Sequence, residues 1–178
     1  MVSRKLPLRN ILTALALVGC TLGGTYKVAH AQGGSGFVLF GKDVDILDYH
    51  LDFGGQRNAR DRYRLRIPGK KLQTGASKFF ITYPDYFDGK FDTDKIEVRL
   101  RGDKKKSLPL KEVIWDKESY QVQIELEEPL KDSTKVEIVF SNVKNPDVGT
   151  YYFFAQVLPA SDLPVRQQIG AWVLSINP

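Results

Sequence analysis

Cysteine and histidine are nearly missing from this chain: Cys20 is the one thiol, and His30 and His50 are the two imidazoles, in 178 residues. A single thiol closes no intrachain disulfide, so the core has to hold by burial alone. His50 is the one histidine after residue 31, which excludes His/Cys metal centres and Cys–His nucleophiles by inventory. A serine triad would need His50 together with a G-x-S-x-G elbow, and that motif is absent. Acid is missing from residues 1–31, which carry Arg4, Lys5, Arg9 and Lys27; taking those four charges from the formal +5 leaves +1 for the remainder. A nucleic-acid binder would keep its surplus in the folded part, so that class is excluded. Long apolar runs are lacking too, and beyond the first 31 residues no segment sustains a helical period.

What stands at the N-terminus reads as an export signal. Arg4, Lys5 and Arg9 form a positive region, Ile11 to Val18 an apolar stretch too short to span a bilayer, and Ala29-His30-Ala31 an A-x-A cleavage site. Leu17-Val18-Gly19-Cys20 offers a second reading, a lipobox with lipidation at Cys20. Either route places the mature domain outside the cytoplasm, in the periplasm or at the cell surface, with no transmembrane span once the leader is removed. The expected organisation is 1–31 signal peptide, 32–36 a flexible Gly-rich lead-in, and 37–178 one domain.

That domain reads as strands. Phe37 to Phe40 and Val44 to Phe53 open it, the latter ended by Gly54-Gly55. Tyr63, Leu65 and Ile67 then alternate with Arg62, Arg64 and Arg66, a half-buried strand with a cationic outer row. Lys78 to Tyr83 and Lys95 to Arg101 follow, then Leu108 to Trp115 and Ser119 to Leu126 flanking a short polar hairpin connection. After Pro129 come Val136 to Phe140, Tyr151 to Leu158 and Gln168 to Ile176. Nine or ten short strands with turn signals between them predict an all-β, immunoglobulin-like antiparallel β-sandwich.

Asn142 to Phe154 carries the most specific pattern. Asp147, Gly149 and Tyr151 have the D-x-G-x-Y spacing of a tyrosine corner, with Gly149 expected at positive φ before an aromatic strand. Together with Pro84-Asp85-Tyr86-Phe87-Asp88 and the LP-L-x-x-V-x-W-type strand from Leu108 to Trp115, this N-V-x-N-P-x-x-G-x-Y-x-F segment resembles the secreted cyanobacterial family catalogued as domain of unknown function 2808. The resemblance runs from Pro84 to Ile176, roughly half the chain. It implies an exported, sandwich-like domain and assigns no catalytic residue.

Three features could carry function. Arg57, Arg60, Arg62, Arg64 and Arg66, with Lys70 and Lys71 behind them, could meet a run of anionic groups, or could be a solvated face that discourages edge aggregation. Asp85, Asp88, Asp92, Asp94 and Glu97 crowd one loop with hard oxygen ligands suited to calcium, though not in EF-hand register, and such loops are acidic for turn geometry alone. His50, between Tyr49 and Leu51, reads as a strand residue. No cofactor is implied. The expected function is a non-enzymatic, monomeric envelope or cell-surface module recognising an anionic polysaccharide or acidic envelope protein through the Arg-rich strand. Two rivals stay open: a carboxylate-based hydrolase of cell-wall or extracellular polysaccharide, and a self-assembling structural envelope protein.

Overall fold

In the computed structural model, residues 36–39, 42–101, 106–162 and 164–178 are described. All fall within Gly33–Pro178, one of the two units into which the chain divides. The leader readings, including Cys20, lie outside the described residues.

Alternation builds the strands: β1 (Gly36–Leu39), β2 (Lys42–Asp45), β3 (Tyr49–Leu51), β4 (Arg60–Ile67), β5 (Ala76–Thr82), β6 (Ile96–Leu100), β7 (Leu110–Asp116), β8 (Gln121–Leu130), β9 (Val136–Lys144), β10 (Gly149–Leu158) and β11 (Gln167–Ile176). One antiparallel sheet has the order β11-β10-β5-β8-β7 and a second β3-β4-β9-β6, while β1 and β2 form a separate hairpin. Tyr63, Leu65 and Ile67 of β4 and Val136, Ile138 and Phe140 of β9 share one buried cluster with Phe79 and Ile81 of β5 and Phe153, Trp172 and Leu174 of the other sheet. The inward residues of the two sheets thus make one core. Across it, the Trp172 indole N–H donates to the Arg66 carbonyl at 3.3 Å.

Two boundaries differ from expectation. Val44 to Phe53 is not one strand: Leu47 is buried and its N–H donates to the Ala171 carbonyl at 2.8 Å, which breaks the stretch between β2 and β3. Nor does β8 stop at Leu126: it continues through Pro129 to Leu130. The ladder with β5 shifts register there, between Ala76 and Lys78, and an irregularity of that kind accommodates a residue without an N–H.

Polar groups inside the fold are few and matched. Asp61, 1% exposed, accepts from the backbone N–H groups of Phe53, Gly55 and Arg62 at 2.9, 2.8 and 2.6 Å, which fixes the turn from β3 into β4. Asn145, also 1% exposed, accepts from the Tyr63 hydroxyl at 2.7 Å and donates to the Gln56 carbonyl at 2.8 Å. Burial pushes the Tyr63 hydroxyl far above its ordinary range, and the Asp61 carboxylate adds to it. Loops 52–59, 83–95, 117–120 and 144–149 gather at one pole of the sandwich, tied by bonds such as Tyr83 N–H to Tyr120 carbonyl and Asn145 N–H to Ala59 carbonyl.

Candidate functional site

The β4 arginines occupy one outer face, as alternation dictates, but their charge is matched. Arg64 makes a bidentate pair with Asp52, Nε to Oδ1 at 2.6 Å and Nη2 to Oδ2 at 2.8 Å, and reaches Glu137 at 3.2 Å. Arg66 engages Asp48 at 2.8 Å and Glu137 at 3.3 Å. Arg62 donates to Ser141 Oγ at 3.1 Å and lies 3.4 Å from Asp52. The hydrogen bond from Arg64 holds the Asp52 carboxyl below the usual carboxylate range, against an opposing burial effect, and the same bond raises Arg64 further. Beneath this lattice, Val139 is fully buried on the outward side of β9, with Arg64 and Glu97 as its cross-strand neighbours. The cationic outer row thus lies in a mixed-charge lattice in which Asp48, Asp52 and Glu137 engage its guanidinium groups.

The remaining cations of that set scatter. Arg60 donates to the Asn142 carbonyl at 3.0 Å, Arg57 is exposed in the β3–β4 turn, and Lys70 is exposed in a short 3-10 turn, Gly69–Lys71. Lys71 pairs with Asp45. His50 lies on β3, largely exposed and 3.7 Å from Asp52.

At the corner, the Tyr151 hydroxyl donates to the Asp147 carbonyl at 2.9 Å, and burial pushes its pKa above the ordinary tyrosine value. Gly149 does not have the positive φ expected of it; Asn142, with φ 60°, does. A Cβ on Gly149 would stand 3.5 Å from the Tyr151 ring, an ordinary contact, so close packing on the tyrosine rather than turn geometry is what a side chain there would meet. The acidic loop disperses: Asp88 accepts from the Asp147 N–H, Asp92 from Asn142 Nδ2 at 2.7 Å, and Glu97 from Arg99 and Ser107. Among the described residues no group of three or more His, Cys, Asp or Glu side chains is placed to hold a metal ion.

Two concavities went unread in the sequence. The first is a groove of about 580 Å³ on the outer face of the five-stranded sheet, lined by Lys78, Phe80, Lys111, Gln123, Glu125 and Arg166, with Glu127 also present. Lys78 and Lys111 both engage Glu125, at 3.4 and 2.6 Å. Arg166 instead lays its guanidinium over the Phe80 ring, 3.6 Å from the centroid, and has no acidic partner among the described residues. Phe80 is only 4% exposed although it points away from the core cluster, which such a covering explains. Nothing in the spacing around Pro164-Val165-Arg166 marks this arginine.

The second is a pocket of about 370 Å³ at the loop-bearing pole, walled by Tyr83, Phe87, Phe91, Trp115 and Tyr120, with Lys90 and Lys117. Phe87 and Phe91 stack at 5.2 Å, Phe91 meets the Trp115 ring at 5.2 Å, and Phe87 touches Tyr151 and Phe153 at 5.3 and 5.1 Å. The three motif segments quoted above thus converge at this pole. That convergence is tertiary, so no local spacing announces it. Among the described residues no helix is long and apolar enough to cross a membrane.

Likeness to solved structures concerns the fold. The chain is similar to BslA, a bacterial hydrophobin, with a TM-score of 0.50 at 14% identity over 74% of this chain and 92% of that one. It is also similar to an uncharacterised Nocardia farcinica protein with an immunoglobulin-like fold, with a TM-score of 0.43 at 12% identity over 74% and 98% of the two chains. The collagen-binding domain of a Staphylococcus aureus adhesin gives a TM-score of 0.44 at 9% identity over 75% and 97%. Two antiparallel sheets sharing one core, with the Tyr151 hydroxyl returned to the Asp147 carbonyl, make this sandwich immunoglobulin-like. No curated protein sequence matches the chain. The matching family model covers residues 37–176, and so takes in the Arg-rich strand that the motif resemblance left outside: the chain belongs to DUF2808, a family of proteins of unknown function.

Proposed function

We propose that this protein is an exported, non-enzymatic envelope or surface module that binds an anionic polysaccharide, and that the arginine performing the recognition is Arg166 rather than the β4 row. One observation carries this. The Arg166 guanidinium lies over the Phe80 ring, 3.6 Å from its centroid, in a groove of about 580 Å³, and has no acidic partner among the described residues. A planar fork fixed on an aromatic face keeps its edge donors available for a carboxylate and loses little freedom on binding. Gln123 beside it adds an amide along the line a polymer would follow, while Lys78 and Lys111 are engaged by Glu125. The β4 arginines, already bonded to Asp48, Asp52 and Glu137, would have to break those pairs first.

The hydrolase reading fares worse. A glycosidase needs one carboxyl kept protonated near neutral pH. Among the described residues every carboxyl with a displaced pKa, namely Asp52, Asp92, Glu97, Asp116 and Glu125, has it lowered, which favours the ionised form.

The test is retention of residues 32–178 on immobilised polygalacturonate, with uncharged dextran as control. Wild type should be retained at low salt and eluted as salt rises. Arg166→Gln should elute at clearly lower salt than wild type, whereas Arg57→Gln and Lys70→Gln, which remove exposed cations elsewhere, should behave as wild type. Equal retention of Arg166→Gln would remove the groove from consideration.

A further inference from the structure

The four-residue β7–β8 hairpin loop ends on a tyrosine in the left-handed region. Tyr120 closes this connection at φ 51°, where glycine or asparagine fits without the steric cost a bulky side chain meets. Its ring is 42% exposed and forms a wall of the polar pocket, edge-on to Tyr83 at 6.0 Å. Backbone held in a sparsely populated region to present a side chain is a device of ligand clamps. The rest of the pocket suits an acceptor-bearing ring. Trp115 donates its indole N–H to the Tyr83 hydroxyl at 2.7 Å, which leaves the Tyr83 hydroxyl hydrogen with no acceptor among the described residues. Lys90 and Lys117 line the same space, and Lys117 lies 4.4 Å from the centre of the Trp115 ring. No carboxylate lines it; the nearby Asp116 is turned to the hairpin, accepting from the Glu118 and Ser119 backbone. Apolar ring faces bordered by hydroxyl and ammonium donors are complementary to a sugar ring, whose C–H face is apolar and whose edge carries acceptors.

We propose that this pocket binds one acidic sugar unit, stacked on Tyr120 and held at its carboxylate by Lys90 and Lys117. The site is separate from the Arg166 groove and does not depend on that reading.

The two tryptophans make the experiment local. Trp172 is fully buried in the core, so a ligand-induced change in emission comes from Trp115 at the pocket. Trigalacturonate titrated into residues 32–178 should give a saturable change, and maltotriose, an uncharged α-1,4-linked trisaccharide, a much weaker one. Tyr120→Gly should weaken trigalacturonate binding by about tenfold or more, the scale of losing a principal aromatic contact. Its denaturation midpoint should hold or rise, because glycine accepts this φ. Arg166→Gln should leave the titration unchanged. The proposal is overturned by an absent change with trigalacturonate, by an undiminished one in Tyr120→Gly, or by loss of the signal in Arg166→Gln. An equal response to maltotriose would overturn the assignment of an acidic sugar.

Discussion

Two tyrosine hydroxyls do similar work in surroundings that differ enough to grade their removal. Tyr151 bonds to the backbone carbonyl of Asp147, a residue at the surface, where water can replace the lost donor. Tyr63 bonds to Asn145 Oδ1, which is sealed between turns and has no such substitute. Tyr151→Phe should therefore cost about 1 kcal/mol and Tyr63→Phe about 2–3 kcal/mol, because only the second strands a buried acceptor. Chemical denaturation of the two variants side by side would give the comparison, and equal costs would contradict it. Gly149→Ala belongs to the same scale: without a positive φ to violate, and with an ordinary contact awaiting its Cβ, it should change the midpoint little.

At the scale of elements, β4 is held from both sides by charge. Replacing Arg62, Arg64 and Arg66 together by glutamine should destabilise the domain measurably, since Asp52 and Glu137, each mostly buried, would lose their partners. Arg64→Gln alone should account for most of the loss, and a triple variant as stable as wild type would mean that the lattice contributes nothing. The pH dependence has a defined sign. Asp52 has a folded-state pKa below its unfolded value, so its contribution is present above about pH 4 and is lost as pH falls through the folded value. Denaturation midpoints should fall on acidification below pH 4, and less so in Asp52→Asn. This strand also marks what a sequence discloses. The alternation of Tyr63, Leu65 and Ile67 with arginines fixed its inner and outer faces. Which groups stand opposite the arginines did not follow, because Asp52 is 12 and Glu137 73 residues away from Arg64, and register decides the meeting. Phe87 and Trp115 were visible as motif residues, but their shared pocket was not. Tyr120 was harder still, as its backbone contradicts the propensity of its side chain.

At the scale of the whole domain, the acidic loop is tied to protein partners. Asp88, Asp92 and Glu97 spend their oxygens on Asp147, Asn142, Arg99 and Ser107 rather than pointing at a common centre. Thermal unfolding of residues 32–178 should accordingly be the same with a chelator as with added calcium; a melting temperature raised by calcium would place a cation in the acidic loop. Binding should be equally independent of bulk charge. With a formal +1 after residue 31, general attraction to polyanions is weak, so strong retention on polygalacturonate would have to come from placed groups.

The lattice over Val139 also has a history within each folding event. Glu137 lies 71 residues beyond Arg66, so during the chain's emergence β4 is complete well before the strand that neutralises it. Until β9 arrives, only Asp48 and Asp52 answer the three arginines on the outer face of β4, and the surplus positive charge repels the same strand of a second unfolded molecule and discourages premature pairing. Docking of β9 converts that repulsion into attraction in a single register, with Arg66 opposite Glu137. The arginines thus act as a timer on assembly: they protect the strand while it waits and reward the one partner that ends the wait.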